Sequence, residues 1–361
     1  MLKLIQALVT TGTALTLCAG ASAQEAHHAA ARSSYDAYVT NEISGDLSII
    51  DGRTLKVVAT VPLGRRPRGI VPSPDGRYLF IALSGSPIEG PPGKRQGPEP
   101  PPDKSADGIG VFDIATRSVS RVIRGVSDPE KLAVSRDGRR LYVASEDSGN
   151  AVVIDVASGQ TLASIPVGAE PEGVRVTPNG RFVYFTSESA ARVSVLATAT
   201  NQLVKQFSVG QRPRSIAFTP TGSTAYVPGE FDASVTVVNA RTDTPVKTFY
   251  LKPSAIFQPA TGAARPMDML VSPSGRSLYV STGRGGAVVE VNLKTDEITR
   301  VAMTGIRPWT IALTPDGRRL YAANGPSNNV SVIDTATFKI IATIPCGTGP
   351  WGVAVARSRR H

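Results

Sequence analysis

The residues able to do chemistry in this chain are carboxylates and arginines set around a recurring proline. The residue after that proline is, in chain order, Arg68, Glu130, Glu172, Arg214, Met267, Trp309 and Trp351, and the residue before it is Arg66, Asp128, Glu170, Arg212, Arg265, Arg307 and Gly349. Glu42, Glu146, Glu188 and Glu230 recur at a second equivalent position. Carboxylates gathered in this way can hold a cation or move a proton, and a tryptophan wall beside them suits a small anionic or hydroxylated ligand. The same residues can also do nothing more than pair, Glu with Arg on neighbouring units, and keep the site from collapsing. Histidine chemistry is excluded from the body of the chain, because the three histidines are His27, His28 and His361. That removes a Ser-His-Asp triad, imidazole ligation of zinc or haem iron, and Cys-x-x-Cys-His haem attachment. Hydrolysis by carboxylates alone, through Glu130, Glu172 and Glu146, is the chemistry left open.

The elements that must position these residues follow from the repeat. The loop prolines are Pro67, Pro129, Pro171, Pro213, Pro266, Pro308 and Pro350, with spacings of 62, 42, 42, 53, 42 and 42. A unit of 42 residues therefore repeats seven times, with insertions after the first and fourth prolines. An aromatic stands thirteen residues after each of the first six prolines, at Phe80, Tyr142, Tyr184, Tyr226, Tyr279 and Tyr321. Between proline and aromatic lies a turn of the Pro-Asp-Gly kind, such as Pro74-Asp75-Gly76 and Pro315-Asp316-Gly317, with Arg136-Asp137-Gly138 as a variant. Short β-branched runs such as Leu141 to Ala144 and Val330 to Ile333 complete four strands per unit. Four antiparallel strands in 42 residues make one propeller blade, so the fold class is all-β, a seven-bladed propeller.

After Pro350 only one strand remains, Gly352 to Val355, and three unmatched strands open the repeat at Ala37 to Asn41, Leu47 to Asp51 and Val57 to Leu63. Pairing of the C-terminal strand with these closes the ring and removes an open sheet edge. The aromatic at one position in every blade reads as packing between blades rather than a stacking platform.

Residues 1–23 combine Lys3, an apolar run from Leu4 to Leu17 and Ala21-Ser22-Ala23, the pattern of a secretory leader cleaved near Ala23. A lipid anchor on Cys18 is disfavoured by the bulky Leu17 before it. Residues 24–361 then form a single propeller, secreted or periplasmic, with no transmembrane segment and with Cys346 as its one thiol. The formal net charge of +10 is spread over scattered arginines, which disfavours specific nucleic-acid binding. The insertion at 84–108 is rich in proline and glycine and is either a tolerated extended loop or a docking arm. The insertion at 254–264, with Ile256 and Phe257, is placed to fold over the mouth as a lid.

Tyr38-Val39-Thr40-Asn41, the Val-Ile-Asp strand ends, the Pro-Asp-Gly turns and the Gly-x-x-Pro-x-Gly loops (Gly64 to Gly69, Gly168 to Gly173, Gly347 to Gly352) resemble the YVTN-type β-propeller repeat over residues 35 to 357. Asp128-Pro129-Glu130, Glu170-Pro171-Glu172-Gly173, Arg212-Pro213-Arg214, Asn324 to Asn329 and Pro350-Trp351-Gly352 resemble its exported subgroup associated with pyrroloquinoline-quinone-dependent catabolism. That resemblance implies a periplasmic accessory protein for quinoprotein alcohol oxidation, with a quinoprotein dehydrogenase or other envelope protein as partner and no catalytic residues to carry over. The expectation is accordingly a non-catalytic binding module without cofactor, whose channel mouth of Arg68, Glu130, Glu146, Glu172, Glu188, Arg214, Glu230, Trp309 and Trp351 takes a small polar ligand. Whether those carboxylates hold a metal stays open. A lactonase-like, metal-dependent hydrolase and a nucleic-acid or envelope-polymer binder are the alternatives.

Overall fold

The computed structural model describes residues 35–88 and 101–358. They form seven four-stranded antiparallel sheets. The leader reading at 1–23, the three histidines and the middle of the 84–108 insertion lie outside the described residues.

The innermost strands of blades 1 to 7 are Pro67–Pro72, Pro129–Val134, Pro171–Val176, Ala217–Phe218, Met269–Val271, Pro308–Leu313 and Pro350–Arg357. Blade 7 is the composite that the phase of the repeat requires. Its inner strand pairs antiparallel with Tyr35–Asn41, which continues into Asp46–Asp51 and Lys56–Pro62. Within blades 1 to 6 the chain runs from the loop proline to a Pro-Asp-Gly-type turn at one end of the ring. It returns to the end that carries Glu42, Glu146, Glu188 and Glu230, then crosses twice more.

Seven apolar clusters hold the ring together, each shared by two neighbouring blades. Tyr38, Leu47 and Ile49 of blade 7 pack on Leu79, Ile81 and Phe112 of blade 1, and Tyr142 and Val153 of blade 2 pack on Val174 and Phe185 of blade 3. The repeat aromatic enters one cluster each at Phe80, Tyr142, Tyr184, Tyr226, Tyr279 and Tyr321. All six are buried, as packing between sheets demands. The second glycine of the Gly-x-x-Pro-x-Gly loop exists because inner strands nearly touch. A Cβ at Gly69 would lie 2.3 Å from the Glu130 carbonyl oxygen, and one at Gly352 would lie 2.3 Å from that of Arg68.

The 254–264 insertion is anchored in the core at one point and reaches the mouth cavity through Thr261. Phe257 is fully buried in the cluster between blades 4 and 5, while Ile256 is exposed. The stems of the 84–108 insertion are fastened to the ring. Asp107 accepts from the Gly85 amide at 2.7 Å, and the Asp103 amide donates to the Gly85 carbonyl at 3.0 Å.

Candidate functional site

Seven loops converge on one end of the central channel, and each delivers its residue before the proline to the rim of a cavity of about 1810 Å³. Arg66, Asp128, Glu170, Arg212, Arg307 and Gly349 do so from a left-handed backbone, with φ between 38° and 71°. That region is uncommon for residues other than glycine, and five such residues at one register show the ring fixing the loops. All nine residues expected at the mouth border this cavity: Arg68, Glu130, Glu146, Glu172, Glu188, Arg214, Glu230, Trp309 and Trp351. Met267 does not. Met267 turns into the interior, where it is buried, while Arg265 before its proline stays at the rim as in the other blades.

The acidic and basic residues form two separate networks. In the first, Arg68 from blade 1 reaches Asp128 and Glu130 of blade 2 through its two terminal nitrogens and lies 3.7 Å from Glu146. Asp128 also accepts from the Ser84 hydroxyl. In the second, Arg214 meets Glu172 at 3.2 Å, Glu188 at 2.6 Å and Glu230 at 2.5 Å, while Arg212 adds 2.7 Å to Glu188 and 3.3 Å to Glu230. A third, smaller pair joins Arg66 to Glu42 at 2.9 Å.

Both networks hold more carboxylates than guanidinia, which fixes their protonation. Burial would raise Asp128, but Arg68 and the Ser84 hydroxyl outweigh it and hold its carboxyl below the usual range. Glu146 takes the opposite course. Burial outweighs the pull of Arg68, the charges of Glu172 and Asp128 add to it, and the carboxyl is pushed up to about 8. Burial likewise raises Glu188 to about 9 against Arg214, with Glu172 adding to the rise. Both border the cavity, and Glu146 is the more open to it, with its side chain 28% exposed against 3% for Glu188.

The oxygens of Asp128, Glu130 and Glu146 lie within 4.8 Å of one another, close enough to ligate one ion. They do not fit a resident metal, because the Arg68 guanidinium already supplies the positive charge among them. The metal dependence raised from sequence therefore has no support in this cluster as packed.

Blades 6 and 7 contribute an aromatic wall to the mouth, with Lys131 of blade 2 lying 5.7 Å from the Trp351 ring centroid. Trp309 and Trp351 stack with ring centroids 5.9 Å apart at 24°. Arg307 lies 4.0 Å over the Trp309 ring, and Arg214 5.6 Å from it. Among the described residues no carboxylate pairs with Arg307, and its Nε has no hydrogen-bond partner. Burial and the nearby charge of Arg214 lower its guanidinium to about 10. Sequence reasoning placed Arg307 in the ring but missed its role as the wall's uncompensated cation; its register before the loop proline was the available signal. Also missed were Pro101, Pro102 and Lys104, through which the stem of the 84–108 insertion borders the cavity.

The fold and the site together define a seven-bladed propeller with a polar, titratable channel mouth. The model of the family described as "Lactonase, 7-bladed beta-propeller" matches residues 173–339, which span blades 3 to 6. No curated protein matches the chain. Among solved structures, hydrazine synthase from Kuenenia stuttgartiensis is similar at a TM-score of 0.68 and 22% identity, covering 83% of this chain and 92% of that one. A putative 6-phosphogluconolactonase from Bacteroides uniformis gives 0.68 and 20%, covering 90% and 100%. Another from Bacteroides fragilis gives 0.67 and 18%, covering 90% and 98%. At these identities the structures establish the fold. The family match corrects the expectation of a protein that is not an enzyme: it points to a hydrolase, and two similar structures carry a lactonase name.

Proposed function

We propose that this protein hydrolyses cyclic esters at the channel mouth, with Glu146 as the proton-transfer group. The observation that carries this reading is a cavity-facing carboxyl raised to about 8 beside a fixed guanidinium, in a propeller whose residues 173–339, a stretch that does not include Glu146, match a lactonase family. A base with that pKa is suited to proton transfer near neutral pH. The ionised Glu146 takes a proton from water as the water oxygen attacks the lactone carbonyl. The ring C–O bond then breaks, and the same carboxyl returns the proton to the departing oxygen, leaving a hydroxy acid. Trp309 offers an apolar face to a hydroxylated ring, and Arg307 offers a cation to any anionic substituent.

The resemblance to quinoprotein-associated propellers supports a chemical setting for this reaction. Oxidation of a cyclic hemiacetal, an alcohol at the anomeric carbon, produces a lactone, which a neighbouring hydrolase would open. The leader-like N-terminal segment supports action in the periplasm or outside the cell. Among the described residues no helix is long and apolar enough to cross a membrane.

The test is a panel of γ- and δ-lactones, including sugar lactones, followed by pH-stat with spontaneous opening subtracted. The wild type opens at least one member faster than background, and Glu146→Gln loses about 100-fold or more of that rate. A panel on which the wild type never exceeds background, or a Glu146→Gln variant of full activity, contradicts the proposal.

A further inference from the structure

Blades 5 and 6 break the acidic pattern of the mouth. Four residues after the repeat aromatic, blades 7, 2, 3 and 4 carry Glu42, Glu146, Glu188 and Glu230, whereas blades 5 and 6 carry Gly283 and Gly325. Before their loop prolines stand Arg265 and Arg307, and the residue after Gly283 adds Arg284. All three arginines border the cavity, and no carboxylate lines it from these two blades. Among the described residues none of the three lies within ion-pair distance of a carboxylate. Arg265 donates to the Phe231 carbonyl at 2.7 Å, a neutral partner that leaves its charge uncompensated. Arg284 is exposed, and the Nε of Arg307 has no hydrogen-bond partner. Burial and Arg214 lower the Arg307 guanidinium, and the charge of Arg284 adds to the fall.

The 254–264 insertion builds this sector. It runs directly into Arg265, and it braces the turn that presents Arg284. The Thr261 hydroxyl donates to the Arg284 carbonyl at 3.2 Å, and the Ala260 amide donates to the Gly285 carbonyl at 3.1 Å. Gly283 permits the close fit, with φ of 49° and a position where a Cβ would lie 2.6 Å from the Arg265 carbonyl oxygen. The turn spends its own amides. Those of Arg265 and Gly285 go to the Thr282 carbonyl and that of Gly286 to the Gly283 carbonyl, so they do not converge into a phosphate cradle. The donors left are planar guanidinia, whose paired N–H groups match a carboxylate.

From this sector we propose that the lactone opened at the mouth already carries a carboxylate, as the lactone of a sugar diacid does, and that Arg265, Arg284 and Arg307 hold that group. A neutral sugar lactone would leave all three guanidinia unused. Glu146 stands on blade 2, so the reacting carbonyl and the carboxylate meet different sectors of one cavity. Water then adds at the ring carbonyl, the ring C–O bond breaks, and the product is a hydroxy diacid with two carboxylates. Naming this the substrate rests on the hydrolytic reading of the mouth; the carboxylate subsite does not.

Intrinsic fluorescence reads the subsite without turnover, because the two tryptophans of the chain, Trp309 and Trp351, both border the cavity. Glucarate, a sugar diacid with no ring to open, should change the emission saturably, and glucitol should not. Arg307→Gln and Arg284→Gln should each weaken glucarate about tenfold or more, the loss expected of one charge-assisted contact. Arg284 is exposed, so its variant tests the subsite even where Arg307→Gln fails to fold. Arg65→Gln, which removes an arginine outside the cavity, should leave the affinity unchanged. In pH-stat, kcat/KM for glucarolactone should exceed that for gluconolactone about tenfold in the wild type, and Arg284→Gln should erase the preference. Glucarate binding without opening of any lactone would retain the subsite and overturn its assignment to a hydrolase substrate. No saturable response, inorganic phosphate or glucitol bound as tightly as glucarate, or Arg284→Gln at wild-type affinity would overturn the subsite itself.

Discussion

Replacing Arg214 by methionine keeps much of the side-chain volume but removes the guanidinium from among Glu172, Glu188 and Glu230, at 3.2, 2.6 and 2.5 Å. All four side chains are no more than 7% exposed, so water cannot take over the guanidinium's role. Glu188, raised to about 9, already holds a proton at neutral pH, and Arg212 at 3.3 Å remains for Glu230. One carboxylate is left to be neutralised by protonation. Starting from the ordinary glutamate value of 4.5, that costs about 5 kcal/mol at pH 8 and less than about 1 kcal/mol at pH 5. The sign follows from linkage. The orphaned carboxyl has a folded pKa above its unfolded one, so the folded variant binds the extra proton, and its stability falls as pH rises above about 4.5. At about 2 °C per kcal/mol for a domain of this size, thermal melts should place Arg214→Met about 10 °C below the wild type at pH 8 and about 2 °C below it at pH 5. The same deficit at both pH values would show that Arg214 acts through packing alone. No deficit at pH 8 would refute the charge balance assigned to this network.

Two other substitutions probe the parts that hold the mouth. Arg68→Met frees Asp128, Glu130 and Glu146, whose oxygens lie within 4.8 Å of one another, so calcium in the millimolar range should raise the melting temperature of the variant and not of the wild type; equal responses would contradict the role of Arg68 as the cluster's resident cation. Gly69→Ala places a Cβ 2.3 Å from the Glu130 carbonyl oxygen and should lower stability by about 1–3 kcal/mol in urea unfolding, with a neutral result counting against the close approach of inner strands.

The ring was legible in the sequence because its repeat imposes the same physics seven times. Proline spacing located the inner strands, the out-of-phase ends required blade 7 to be composite, and one aromatic per unit marked the packing between blades. The rim residues followed from register alone, and only Met267 departs, in the blade entered from the 254–264 insertion that anchors itself through Phe257. Pairing was less visible. Arg68 and Glu130 are 62 positions apart in sequence, and only the angle between adjacent blades decides that they meet. Hydrolysis through Glu130, Glu172 and Glu146 stayed an alternative behind the binding module for a related reason. A chain without an internal histidine looks poor in groups that titrate near neutrality, but burial and the charges of Glu172 and Asp128 bring Glu146 into that range, and neither is written in local sequence.

The pH dependence of lactone opening tests the central claim most directly. If Glu146 is the base, kcat/KM of the wild type rises through an apparent pKa of about 8 and levels above it, and Glu146→Gln loses both the rate and the inflection. A wild-type profile that only parallels spontaneous hydroxide-driven opening, or an inflection near 8 that survives in Glu146→Gln, would contradict it.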